Sequence, residues 1–387
     1  MENFSFYNPV RLHFGSDALY KIHERTPLYG RRALIMYGQG SVKKHNILVK
    51  VTNQLSQAGL TFVEYGGIKP NPVVDDVVKA AQLARKEKVD MVIAVGGGSV
   101  IDSAKVTAVV AKSDIDAWEF MEGKAEPTDA LPILTVLTVV GTGSENNAVA
   151  VLQNHKVDKK IGWRHELMYP KESFLDPSLT ITVSRYQTAC GMADIIAHAL
   201  EAYFGDGQAP LADYFSVSII KEIMDIGPRL INDLENYKLR ARMMLAGTYA
   251  LNGTTAIGRG NSGDWGTHAV GHVLSYMYDI AHGATLSIAF PAWMKLHLDK
   301  IPERIRHLGR LLFPNECITA EDTILKFEDF FKLIGLPTRL GDVGISRDDR
   351  IPILQLMNKV NVSGRVFPLS EEDRQAILNL MITGGKL

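Results

Sequence analysis

The 387-residue chain has only two cysteines, Cys190 and Cys317, far apart and outside any CxxC spacing. That excludes a disulfide framework and fits a reducing cytoplasm. No uncharged apolar run is long enough to cross a bilayer, so no membrane partner is expected. The opening MENFSFYNPVRLHFG has no basic stretch followed by an apolar one, so no secretory signal is expected either. Charge of one sign is also missing. The net value of −1 gives no footprint for a nucleic acid and leaves a small molecule as the expected partner. There is no fixed-period repeat and no low-complexity segment. Three familiar fingerprints fail. GxGxxG would need glycine at 101, where Ile101 stands; no Gly-Lys-Ser/Thr follows the glycine runs; and Ala269 follows His268, which breaks HExxH. What remains is an ordinary globular composition, 46% hydrophobic and 22% charged, at a length that suggests two domains.

The first half alternates strand and helix. Apolar runs at Ala33–Tyr37, Thr61–Tyr65, Met91–Val95 and Leu131–Thr138 read as strands. Between them, Asn46–Ala58, Pro72–Lys88 and Val100–Lys112 read as helices, with Asn71 as a cap and Pro72 at the first position of the second. That order predicts a parallel α/β sheet, Rossmann-like, with ligands at the carboxyl ends of its strands. Three glycine-bearing turns fall at those ends. Gly96-Gly97-Gly98-Ser99 is either a tight strand-to-helix turn or a phosphate cradle at a helix start, with Asp102 in its first turn. Gly38-Gln39-Gly40-Ser41, followed by Lys43 and Lys44, has no local acid to hold a ribose 2′-hydroxyl. If a dinucleotide binds there, NADP(H) is favoured over NAD(H). Thr138–Asn147 (TVVGTGSENN) is a polar loop able to hold a ribose or a nicotinamide amide, or simply a link to the next strand.

After Asp176-Pro177 helical patterns dominate. The boundary falls near 183, giving domains 1–183 and 184–387. Ser184 and Gln187 match a capping box before an almost wholly apolar helix. Asp194 and His198 sit inside that helix, four apart and on one face. A buried carboxylate needs a cation, a donor or a metal. Downstream, DWGTHAVGHVLSYMYDIAH concentrates His268, His272 and His282. Core histidines with hydrogen bonds and a metal centre are both open readings. Taken together, Asp194, His198, His268 and His282 make a ligand set suited to iron(II) or zinc and too rich in nitrogen for magnesium or calcium. His272 is then left to relay protons, to meet substrate or to be a fifth ligand. Asp264 and Trp265 are candidates for the substrate pocket wall, and Asp264 also for a catalytic group.

With these motifs in order, the sequence resembles the iron-containing alcohol dehydrogenase family over essentially its whole length. Its NADPH-dependent butanol dehydrogenase and aldehyde reductase branch is the most similar. Phe14-Gly15, YGQGSVKK, GGGSVIDSAK, TGSENN, GMADIIAHALEAYF and the histidine stretch into HGATLSIAFPAWM carry the likeness. The resemblance implies a dinucleotide-binding α/β domain, an all-α metal-binding domain and the architecture of dehydroquinate synthase, with the metal between the domains. It implies Asp194, His198, His268 and His282 as ligands, and His272 as an extra active-site histidine. It implies Gly97, Gly98 and Ser99 at the pyrophosphate, and Thr138, Thr142, Asn147 and Lys160 on the cofactor side. It places Gly38, Gln39 and Ser41 at the adenosine 2′-phosphate. A homodimer is the assembly it carries. Gln39 and Gly141 depart from the branch, which commonly has glycine and alanine there. Polyol or polyol-phosphate dehydrogenases and sugar-phosphate lyases share the architecture, but need cations for their substrates. No basic cluster lies among Asp194–His282, and Arg259 is the nearest basic residue to the histidine stretch.

Overall fold

A computed structural model describes residues 1–385. The chain forms two compact units, one of Tyr7–Val183 with Leu234–Asn252, the other of Met1–Phe6, Ser184–Asp233 and the chain from Gly253 onward. The first unit is built on a six-stranded parallel sheet. Its strands are β1 (Arg11–Phe14), β2 (Arg32–Gly38), β3 (Thr61–Ile68), β4 (Met91–Gly96), β5 (Ile133–Leu137) and β8 (Glu172–Leu175). Their order is β1-β8-β5-β4-β2-β3. β6 (Val149–Asn154) and β7 (Lys159–Arg164) form a separate antiparallel ribbon. The expected parallel α/β sheet is therefore present. The four-residue strands β1 and β8 were not expected, because RLHF and ESFL are too short to show a period.

Three helices cover the sheet: α1 (Ile47–Gln57), α2 (Val74–Lys86) and α3 (Gly98–Val110). Alternation along β2 and β4 sends Ala33, Ile35, Met91 and Ile93 to the face that Ile47, Leu48, Val51 and Leu55 of α1 cover. α2 and α3 pack on a second cluster with Ala150, Leu152 and Trp163. Asn71 does not cap α2 as expected. It adopts a left-handed φ of 55°, the Pro72 carbonyl accepts from Gln153 N–H, and the helix starts at Val74. The ribbon's claim on Pro72 displaces the helix start by two residues.

The helical unit holds α4 (Arg185–Tyr203) and α5 (Pro210–Asn232); α6 (Tyr237–Ala250) belongs to the sheet unit. α7 (Gly266–Tyr278), α8 (His282–Leu296) and four further helices complete the chain. Ser184 Oγ accepts from Gln187 N–H and so caps α4 as its sequence suggests. The expected division at 183/184 runs through the chain without regard to α6. That helix is tied to the sheet unit by Thr248 Oγ1, which donates to the buried Glu145 Oε1 at 2.7 Å, and by Arg240, which donates to the Val183 carbonyl. Among the described residues no helix is long and apolar enough to cross a membrane.

Glu172 anchors the amino-terminal end of β8. It accepts from His13 Nε2 at 2.7 Å, from Arg25 at 2.7 and 3.0 Å, and from Tyr29 OH at 2.7 Å. Burial pushes its carboxyl up, and the bonds from Arg25, Tyr29 and His13 outweigh that and hold it below the usual value of 4.5. A depressed folded pKa gives stability that is present above 4.5 and lost as pH falls through the folded value. Glu172→Gln therefore destabilises the protein by about 2–3 kcal/mol at neutral pH, part of the cost of breaking a buried pair. Wild type and variant converge in urea unfolding as the pH drops below 4.5.

Candidate functional site

α4 is buried nearly all round, which is why a carboxylate and an imidazole inside it stand out. Asp194 and His198 lie one turn apart on its inner face. His268 stands in the first turn of α7, and His282 is the first residue of α8. Three Nε2 atoms surround one carboxylate oxygen. Asp194 Oδ1 is 3.7 Å from His198, 4.0 Å from His268 and 3.9 Å from His282. These separations exceed a hydrogen bond. They lie slightly beyond the roughly 3.4 Å between ligand atoms in a tetrahedral site with bonds near 2.1 Å. Donor atoms of Asp194, His268 and His282 all fall within 4.8 Å of one another. His198 stands outside that mutual set but joins it through Asp194, and its ring stacks on His268 at 4.9 Å between centroids. Burial pushes His198 down to about 4, so its imidazole is neutral and offers a lone pair. One carboxylate oxygen and three imidazoles have the donor chemistry for divalent iron or zinc. His272, four residues along α7, is partly exposed, with its ring 5.2 Å from that of His282.

Two acids near this cluster have roles that differ from expectation. Asp264 was a candidate catalytic group and pocket wall, yet it is fully buried and turned inward. Its Oδ1 accepts from Val366 N–H at 2.9 Å and Phe367 N–H at 2.7 Å, and its Oδ2 accepts from Gly266 N–H at 3.2 Å. A carboxylate so occupied latches the 364–367 segment to the start of α7. Glu201, which the sequence reading passed over, is the closer partner. Its Oε1 accepts from His268 Nδ1 at 2.8 Å and from His268 N–H at 3.0 Å. Its signal was its position, three residues after His198 and seven after Asp194 on the same helical face. Trp265 does flank the cluster, with its ring centroid 5.2 Å from His268 and 6.3 Å from His198.

The candidate cofactor residues all lie in the sheet unit. Gly97 is the residue before α3 and has no side chain with which to cap it, so backbone N–H groups of the first turn are left to a ligand or solvent. A Cβ on Gly98 would stand 2.4 Å from Thr142 Cγ2. That glycine is demanded by packing against the loop after β5, whatever else the turn binds. Ser99 follows in the first turn of α3, and Thr138 N–H bonds the Gly96 carbonyl at the mouth of β4 and β5. Asp102 and Asn147 both make hydrogen bonds within the protein. Asp102 accepts from Ser144 Oγ at 2.6 Å and Val151 N–H at 2.9 Å. Asn147 accepts from Lys105 Nζ and Val149 N–H and donates to the Gly143 carbonyl. Both shape the loop, because the fully buried Lys105 between them needs acceptors. Lys160 on β7 donates to Asn71 Oδ1 at 2.7 Å. Gly38 ends β2, Gln39 is exposed, and Ser41 opens a single helical turn, Ser41–Lys44. The sheet brings an acid to that turn which the local sequence does not show. Glu64 on β3 pairs with Lys43 at 3.2 Å and accepts from Tyr37 OH at 2.9 Å.

Comparison with known proteins bears on the whole chain. Residues 9–177 match the family model described as iron-containing alcohol dehydrogenase, and residues 188–380 match the C-terminal model of the Fe-containing alcohol dehydrogenase family. The chain is 38% identical over 385 residues to a probable NADH-dependent butanol dehydrogenase 1 of Bacillus subtilis, covering 98% of this chain and 99% of that one. It is 36% identical over 372 residues to the NADPH-dependent aldehyde reductase YqhD of Escherichia coli, covering 94% of each. The solved NADH-dependent butanol dehydrogenase A of Thermotoga maritima superposes with a TM-score of 0.95 at 39% identity, over 99% of both chains. Two family models in tandem, full-length relatives above 30% identity and the shared architecture lead to one conclusion: this chain belongs to the iron-containing alcohol dehydrogenase family of oxidoreductases.

Proposed function

We propose that the protein is a metal-dependent alcohol dehydrogenase and aldehyde reductase. It moves hydride reversibly between NADP(H) and a primary alcohol or aldehyde of the butanol type, with broad specificity. The observation that carries this reading is the convergence of three imidazole Nε2 atoms on Asp194 Oδ1 at 3.7–4.0 Å. Asp194, His198, His268 and His282 would hold iron(II) or zinc, which would supply Lewis-acid chemistry when bound. His272, next to His282 and partly open to solvent, passes the proton. Gly97, Gly98 and Ser99 hold the pyrophosphate at the start of α3, with Thr138, Thr142 and Lys160 towards the rest of the cofactor.

A phosphorylated substrate fits poorly. Arg259, the basic residue nearest the histidine stretch along the sequence, is buried and bound to Asp213, which Arg304 also binds at 2.6 and 2.7 Å. NADP(H) is favoured by Ser41 and Lys44 at the turn after β2. Glu64 at the same turn favours a second reading, NAD(H), since a carboxylate repels a 2′-phosphate and suits a 2′-hydroxyl. The partner is a small molecule, the assembly a homodimer and the location the cytoplasm.

Initial rates with butanal, NADPH and NADH test this. Ser41→Ala is expected to raise KM for NADPH about tenfold, one lost charge-assisted hydrogen bond, while leaving KM for NADH within about twofold. Turnover with NADH alone would select the second cofactor. Turnover of phosphorylated polyols but not of aldehydes would overturn the substrate class.

A further inference from the structure

We infer that Glu201 sets the metal affinity of the cluster. It does so by fixing the tautomer of His268 and by capping, from another helix, the helix on which His268 stands. The inference rests on the metal reading of Asp194, His198, His268 and His282 above.

α7 begins without a cap of its own. The residue before it is Trp265, which makes no side-chain capping bond and sits at a left-handed φ of 66°, strained for a bulky residue. Its first-turn N–H groups therefore need outside acceptors. Glu201, 1% exposed in the middle of the helical unit, supplies them from α4. One oxygen takes the N–H of His268 and the other takes the N–H of Trp265. Acceptor oxygens at a helix N-terminus satisfy its open N–H groups, and here they also hold the strained turn in place.

The same oxygen that takes His268 N–H lies 2.8 Å from His268 Nδ1. An oxygen that already accepts from the backbone is an acceptor for the ring as well, so Nδ1 carries the hydrogen. Nε2 is then the lone-pair nitrogen, and it is the atom that faces Asp194 Oδ1 at 4.0 Å. Without Glu201 the ring is free to carry its proton on Nε2, which abolishes a ligand. Carboxylate, imidazole and metal in series are a recurring arrangement, and loss of the outer carboxylate typically costs about 10–100-fold in metal affinity. Glu201 touches neither substrate nor metal in this account; it is a positioning residue.

The test uses full-length protein stripped with a chelator and titrated with cobalt(II), whose visible absorption reports the ligand set. Affinity is read by competition with the chelator. Glu201→Gln keeps the shape but replaces one of the two acceptor oxygens with a donor NH2 group. It is expected to bind cobalt about 10–100-fold more weakly than wild type and with an altered visible spectrum. Glu201→Asp, which keeps both acceptor oxygens at a shorter reach, is expected to fall between the two. Wild-type affinity and spectrum in Glu201→Gln would overturn the inference and leave the metal site standing. Failure of the wild type itself to take up cobalt would overturn the site reading on which the inference rests. Nitrogen NMR of histidine-labelled, stripped wild type gives a check that needs no variant. His268 protonated on Nδ1 supports the inference, and His268 protonated on Nε2 overturns it.

Discussion

Replacing His268 by alanine is expected to strip the protein of its divalent metal and lower aldehyde reduction by at least about a thousandfold. A Lewis acid on the reacting oxygen supplies several kcal/mol of barrier lowering, and each 1.4 kcal/mol is about tenfold in rate. His268 is the hub of the cluster. Its ring stacks on His198, meets Trp265 edge-on, lies 5.3 Å from His282, and bonds the Glu201 carboxyl through Nδ1. The contrast is His272→Ala, four residues away on the same helix. It should keep the metal and lose about a hundredfold in turnover, the lower range for a general acid or base. Metal analysis on the purified variants, set beside their turnover with butanal, separates the two cases. A metal-loaded, inactive His268→Ala would show that the ring acts on substrate rather than as a ligand.

Gly283→Ala is the second large effect. A Cβ on Gly283 would stand 1.9 Å from the Cys190 carbonyl oxygen, 2.5 Å from its carbon and 2.7 Å from Cys190 Cα. All three atoms are α4 backbone, so no side chain can swing aside. α8 must shift away from α4, and the shift begins at the residue next to His282. Overpacking of this kind costs about 1–3 kcal/mol of stability. A displacement near 1 Å at a reacting centre can cost about a hundredfold in rate. The expected variant is folded, a few degrees less heat-stable, weak in metal binding and about a hundredfold slower. Circular dichroism melting, a metal titration and turnover with butanal read these effects, and wild-type metal affinity would show that α8 does not depend on that contact.

Much of this was legible in residue spacing. Asp194 and His198 are four apart in an apolar helix, and His268 and His272 repeat that spacing, so faces could be assigned before any fold was known. Apolar runs pointed to the strands β2, β3, β4 and β5 because each is long enough to show its pattern. What failed was decided by distant backbone. Asp264 lies four residues before His268 and looked like part of the chemistry, but its acceptors are filled by N–H groups of Val366 and Phe367, about a hundred residues away. The bonds by which Ser144 and Asn147 hold the buried Lys105 were equally out of reach of the sequence. Glu64 reaches the turn after β2 only because β3 pairs with β2. Glu201 was different: its spacing from His198 was visible, and its meaning depended on α7 beginning against it.

The central claim is that the Asp194 and histidine cluster holds the metal on which turnover depends. Stripped wild-type protein, titrated with iron(II) or zinc while butanal-dependent oxidation of NADPH and of NADH is followed, tests it most directly. The predicted result is no turnover without metal and a rate that rises in step with bound metal until each chain holds one. Full turnover in the metal-free protein, or none with either nucleotide at full metal occupancy, would contradict it.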